Sequence, residues 1–146
     1  MKKLNLLWIV TIALAILALA SLAADGGRRF TTTMTGAAER PGPGDPDASG
    51  TATITLNPGT GQVCWEIHVS GITLPATAAH IHEAPVTAPG PVVVPLSAPD
   101  ASGFSSGCAS VDREEIIEII QHPEDYYVNV HNADFPAGAL RGQLSK

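Results

Sequence analysis

From about residue 28 to the C-terminus, apolar residues recur at every second position in short runs broken by Gly, Pro and Asn. That period of two marks half-buried strands. Phe30 to Thr35 and Thr51 to Leu56 are Thr-rich and β-favouring, and between them Arg40 to Gly50 is a turn-rich loop that cannot hold a ladder. Asn57-Pro-Gly-Thr-Gly61 predicts a hairpin turn into Val63 to Val69, whose Val63, Trp65, Ile67 and Val69 are expected to face a core and whose Cys64, Glu66 and His68 face away. Further strands are predicted at Pro91 to Leu96, where flanking prolines suit a sheet edge, and at Phe104 to Val111, Tyr126 to His131 and Ala139 to Leu144. Trp65 and Phe104 are expected in the core.

One segment changes period. Asp112 to Gln121 carries Ile116, Ile119 and Ile120 on one side, with Asp112 and Glu115 spaced as a capping box, so it predicts a short amphipathic helix. His122-Pro123 ends it, because the residue before proline avoids the helical region. Glu114, Glu115 and Glu118 are expected on its solvated side. The expected fold is all-β: an antiparallel β-sandwich, Ig-like or superoxide-dismutase-like, with one short α-helix.

Two strands carry unusual side chains. In Ala79-His80-Ile81-His82 the two imidazoles share a face and Ile81 takes the other. In Val128-Asn129-Val130-His131 the valines mark the apolar face, which puts Tyr127, Asn129 and His131 on the opposite, wetter one. His80, His82 and His131 are therefore candidate ligands of a metal site off the core. Three imidazoles with one open position suit copper or zinc. Glu83, Asn129 and Arg141 are the candidates for side chains that orient the ligands from behind. The competing reading is of exposed strand histidines bonded to nearby turns. His68 shares a face with Glu66 and reads as an ordinary exposed residue, and His122 as a helix-end cap. Arg141 is expected to be structural, pairing with a carboxylate such as Asp134 or with backbone carbonyls.

The chain's beginning reads as an address. Met1-Lys2-Lys3 is followed by an almost wholly apolar run from Leu4 to Leu22, and Ser21-Leu22-Ala23-Ala24 supplies the small residues of a cleavage site. Residues 1–24 are thus a signal peptide or, since the run approaches the roughly 20 residues that span a bilayer, an N-terminal membrane anchor. Residues 25–146 form one domain with one core. Export places the protein outside the cytoplasm, secreted or periplasmic, with the membrane reached only through the first segment. Without Lys2 and Lys3 the chain keeps six basic and all fourteen acidic residues, a formal charge of −8. Such a surface lacks the basic stripe that nucleic acid needs. Cys64 and Cys108 are the only cysteines, and in an oxidising compartment they are expected to form one disulfide, contributing about 3 to 4 kcal/mol in the chain-entropy model.

At Gly71-Ile72, His80-Ile-His82, Gly90-Pro-Val-Val-Val94, Tyr126-Tyr-Val-Asn-Val-His131 and Phe135-Pro-Ala-Gly-Ala-Leu-Arg-Gly-Gln-Leu144 the chain resembles the CHRD domain, the module named after chordin. The likeness spans nearly all of residues 25–146 and implies a β-sandwich. It implies little about activity: in chordin these domains sit in an extracellular antagonist of growth factors, and single-domain versions are secreted. The cysteine-rich modules through which chordin binds growth factors have no counterpart here. Where the family commonly has Gly, this chain has Ala84-Pro85, so that loop is expected to take a different path. The pattern of His-x-His on one strand with a later His on its neighbour is also similar to the copper ligands of copper,zinc superoxide dismutase. This chain lacks the further His and Asp cluster that would hold zinc beside the copper.

No Gly-x-Ser-x-Gly elbow and no phosphate-cradling loop appears. Two functions of different class remain. The first is an exported binding domain, with or without copper, that acts through its surface on another protein, matrix or cell-envelope component. The second is a copper-dependent redox enzyme of dismutase-like type, which a charge of −8 disfavours because it repels superoxide.

Overall fold

Alternation of this kind needs a curved sheet that closes over its apolar side, and the chain supplies one. A computed structural model describes residues 27–146, so the reading of residues 1–24 lies outside the described residues. The strands are β1 (Arg28–Thr35), β2 (Ser49–Asn57), β3 (Gln62–Ser70), β4 (Ala78–Glu83), β5 (Val92–Leu96), β6 (Phe104–Ser110), β7 (Tyr126–His131) and β8 (Leu140–Gln143), with one helix, α1 (Arg113–Gln121), between β6 and β7. All strand pairs are antiparallel, in the order β5-β4-β7-β8-β1-β2-β3-β6.

The all-β expectation holds, with a refinement. The two halves of the fold, β5-β4-β7-β8 and β1-β2-β3-β6, are one continuous sheet, joined at β8 and β1 through the single pair Thr35 and Arg141. The sheet curls until its far ends approach: the Ser105 hydroxyl on β6 donates to the Ser97 carbonyl just past β5 at 2.6 Å. Inside lie Ile54, Leu56, Val63 and Ile67 from one half and Ile81, Val94, Val128 and Val130 from the other, all fully buried. α1 closes the core with Ile116 and Ile119. Each such side chain contributes about 1.5 to 3 kcal/mol by leaving water.

Trp65 is in this core as expected, and its indole N–H donates to the Ser105 hydroxyl at 3.1 Å. The ring lies across β6 at Gly107, where an added Cβ would stand 2.6 Å from it. Cys64 and Cys108 occupy directly paired positions on β3 and β6 and are disulfide-bonded. The hairpin turn also holds, with Asn57 Oδ1 accepting from the backbone N–H groups of Gly59 and Thr60.

Three expectations fail locally. Phe104 is 37% exposed, because it pairs with His68 on the outer face of β6 and meets that ring in a tilted contact at 4.8 Å. Asp112 is the residue before α1 but makes no side-chain cap bond, so the capping box does not close. Glu115 is half-buried rather than solvated, and burial, with the charges of Glu83, Glu118 and Asp112, raises its pKa. No helix among the described residues is long and apolar enough to cross a membrane.

Candidate metal centre

Register assembles the site. β4 pairs with β7 so that Ala78 faces His131, His80 faces Asn129 and His82 faces Tyr127, while Ala79 and Ile81 face Val130 and Val128 across the core side. β7 in turn pairs with β8, bringing Arg141 opposite Asn129 and Gln143 opposite Tyr127. Directly opposed residues share a face, so His80, His82, His131, Tyr127, Asn129, Arg141 and Gln143 form one polar patch on the outside of this half-sheet.

Much of the patch is not wet, which corrects the expectation from alternation at Tyr127 and Asn129, while His80 and His131 are half-buried. His82 is 8% exposed, Tyr127 3%, Asn129 2% and Arg141 1%. The segment from Ala84 to Pro91, between β4 and β5, folds over them as a strap. Arg141 holds it by donating to the carbonyls of Ala88 at 2.8 Å and Pro85 at 3.0 Å, and Gln143 donates to Ala84 at 2.9 Å. Arg141 thus takes the carbonyl option rather than Asp134, which accepts from the Thr73 hydroxyl instead. Its guanidinium lies 3.4 Å over the Tyr127 ring, and Tyr127 stacks in parallel on His82 at 4.8 Å.

The three histidines converge: one donor atom from each lies within 4.8 Å of the other two. Two rings are oriented by backbone carbonyls. His82 Nδ1 lies 2.9 Å from the Gly90 carbonyl and His131 Nδ1 lies 3.0 Å from the Pro136 carbonyl. A carbonyl can only accept, so in both rings Nδ1 carries a proton, and Nε2 is the atom that offers a lone pair in the neutral ring. His82 Nε2 is buried without any partner, and His131 Nε2 is 3.2 Å from His80 Nδ1. Carbonyl-tethered imidazoles presenting bare Nε2 atoms are how proteins prepare metal ligands. Bonds of about 2.0 to 2.1 Å at tetrahedral angles put donors about 3.3 Å apart, a spacing the His80 and His131 pair already has. Burial lowers the pKa of His80, with His131 and His82 adding to the effect. It also lowers that of His131, against the Pro136 hydrogen bond and with His82 adding. Both rings are therefore neutral at pH 7, as ligands must be.

The other candidates distribute as follows. Asn129 and Arg141 belong to the patch. Glu83 pairs with Tyr126 and its charge acts on Glu115 and Tyr126 beside α1, away from the histidines. His68 lies on β3, in the other half-sheet, 3.2 Å from Glu66. His122 is the residue after α1, its backbone N–H donating to the Glu118 carbonyl.

Sequence reasoning missed Glu39. It follows β1, is 3% exposed, and its carboxyl packs on Gly138, where a Cβ would stand 2.6 Å from it. Gly138 also has a φ of +142°, outside the range of ordinary side chains. Burial raises the Glu39 pKa to about 7 despite the opposing Arg141 charge and smaller opposing effects of Arg40 and Asn129. The glycine beneath the carboxyl is the one mark it leaves in the sequence, a hundred residues away.

The domain is a curled all-β module with a strapped, histidine-bearing polar layer on one outer face, stapled by a disulfide of the kind that persists in oxidising compartments. The family model of the CHRD domain matches residues 30–144, and the chain belongs to that family. No curated protein and no solved structure matches it.

Proposed function

We propose that this protein is an exported, extracytoplasmic CHRD domain that binds a copper or zinc ion through His80, His82 and His131. The observation that carries this reading is the convergence of one donor atom from each of the three histidines to within 4.8 Å, with two of the rings held by backbone carbonyls through Nδ1. Leaving His82 Nε2 buried and unbonded costs about 1 to 3 kcal/mol. A chain tolerates that cost where the atom has a use. The strap over the patch and the fixed rings suit retention of an ion more than turnover of a substrate, so the role is binding, with the domain acting on a protein or cell-envelope component. Among the described residues this is the one group of three ligating side chains, so a second metal beside the first, as in the dismutase likeness, has no ligands here.

Calorimetric titration of zinc(II) and copper(II) into the protein, and into its His80→Ala, His82→Ala and His131→Ala variants, tests the reading. One-to-one binding lost in every variant is expected. Binding that survives any two of the three substitutions sinks it.

A further inference from the structure

Four side chains of the outer layer have a buried polar atom with no partner: Glu39 Oε1, His82 Nε2, Asn129 Oδ1 and Arg141 Nε. Buried polar atoms are rarely left so, and a cluster of them asks for an occupant. Asn129 stands at the centre of the layer. Its register partners are His80 on one side and Arg141 on the other, and its same-face neighbours along β7 are Tyr127 and His131. Glu39 approaches from the β8 and β1 side, its carboxyl packed on Gly138. The Asn129 amide oxygen is buried without a partner in the same layer, and His80 stands directly opposite Asn129 across the β4 and β7 pair.

We infer that Asn129 Oδ1 is a fourth donor to the ion held by His80, His82 and His131, so that the centre is a closed three-nitrogen, one-oxygen site for a divalent cation. This rests on the three-histidine reading above. The donor chemistry is consistent: imidazole suits zinc and copper, and an amide oxygen is a hard donor that favours the divalent over the soft monovalent state of copper. Four protein donors leave no coordination position for a substrate, as in structural rather than catalytic zinc sites.

The test is titration of the protein with cobalt(II), whose visible absorption reports coordination number and donor set. Wild type is expected to give the intense bands of a four-coordinate ion, and Asn129→Ala to bind at least about 10-fold more weakly with a changed spectrum. Asn129→Asp keeps an oxygen donor and adds charge, so it is expected to retain the four-coordinate bands and bind at least as tightly as wild type. An Asn129→Ala protein with the wild-type spectrum and affinity overturns the inference while leaving the three-histidine site intact. Should that variant not fold, Asn129→Asp decides, since weaker binding or loss of the four-coordinate bands there overturns it equally. Wild-type protein that takes no cobalt, or that keeps it after His80→Ala, removes the underlying reading and this inference with it.

Discussion

β4 and β7 bury their inner face fully and much of their outer face, but by different means. On the inner face Ala79, Ile81, Val128 and Val130 pack against apolar residues from the opposite half-sheet and need nothing but shape. On the outer face His82, Tyr127, Asn129 and Arg141 are covered as completely, yet by a strap and a loop, and every polar atom there must find a partner or go without. The inner face stabilises. The outer one leaves buried polar atoms without partners at a cost in stability, and such departures concentrate at functional surfaces.

Four substitutions sharpen that contrast, from the largest expected effect to the smallest. Ile81→Ala opens a cavity at a fully buried inner position and is expected to cost about 4 kcal/mol in urea unfolding; a loss under about 1 kcal/mol would mean the inner face is not close-packed. Arg141→Ala unties the strap, leaving the carbonyls of Pro85 and Ala88 without their donor, at about 3 kcal/mol. Its specific signature is faster amide exchange at Gly90, whose N–H donates to the Tyr127 hydroxyl beneath the strap. Unchanged exchange there would argue that Arg141 does not hold the strap.

Glu39 gives the outer face a pH signature. Its pKa is raised in the folded protein from 4.5 to about 7, so the folded state holds a proton that the unfolded state has already released. Stability from this group is full below about pH 4.5 and declines as pH rises to about 7. Glu39→Gln is expected to remove the decline and to be about 2 to 3 kcal/mol more stable than the parent at pH 8, with little difference at pH 4.5. The lowered values of His80 and His131 act in the opposite sense, since stability from them is lost as pH falls below 6.5. The contrast is clearest in the difference between Glu39→Gln and its parent, where the histidine contributions cancel. A difference independent of pH would contradict the buried, protonated carboxyl. Phe104→Ala is the control on an open surface, with an expected effect below about 0.5 kcal/mol by thermal unfolding.

The inner face was legible because a period of two needs only local information. Val63, Trp65, Ile67 and Val69 read as core from seven consecutive residues, and they are core. The same rule, applied to Tyr127, Asn129 and His131, predicted a wet face. It failed because alternation says which side a residue takes and not what covers that side. The covering strap comes from Ala84 to Pro91, and nothing in that Pro-rich stretch announces that its carbonyls will meet an arginine more than fifty residues later. Phe104 failed for the complementary reason, an apolar residue on a face that nothing covers. That the three histidines share a face was legible, because alternation within each strand puts His80 and His82 together and His131 opposite the valines. Glu39 was not, since its burial depends on the loop after β1 meeting the turn before β8 at Gly138.

The most direct test of the centre is X-ray absorption at the zinc edge of the protein loaded with one equivalent of zinc. The account predicts a shell of nitrogen and oxygen donors at about 2.0 to 2.1 Å, with the outer scattering of three imidazole rings. A spectrum with one imidazole or none, or with sulfur at about 2.3 Å, would contradict it.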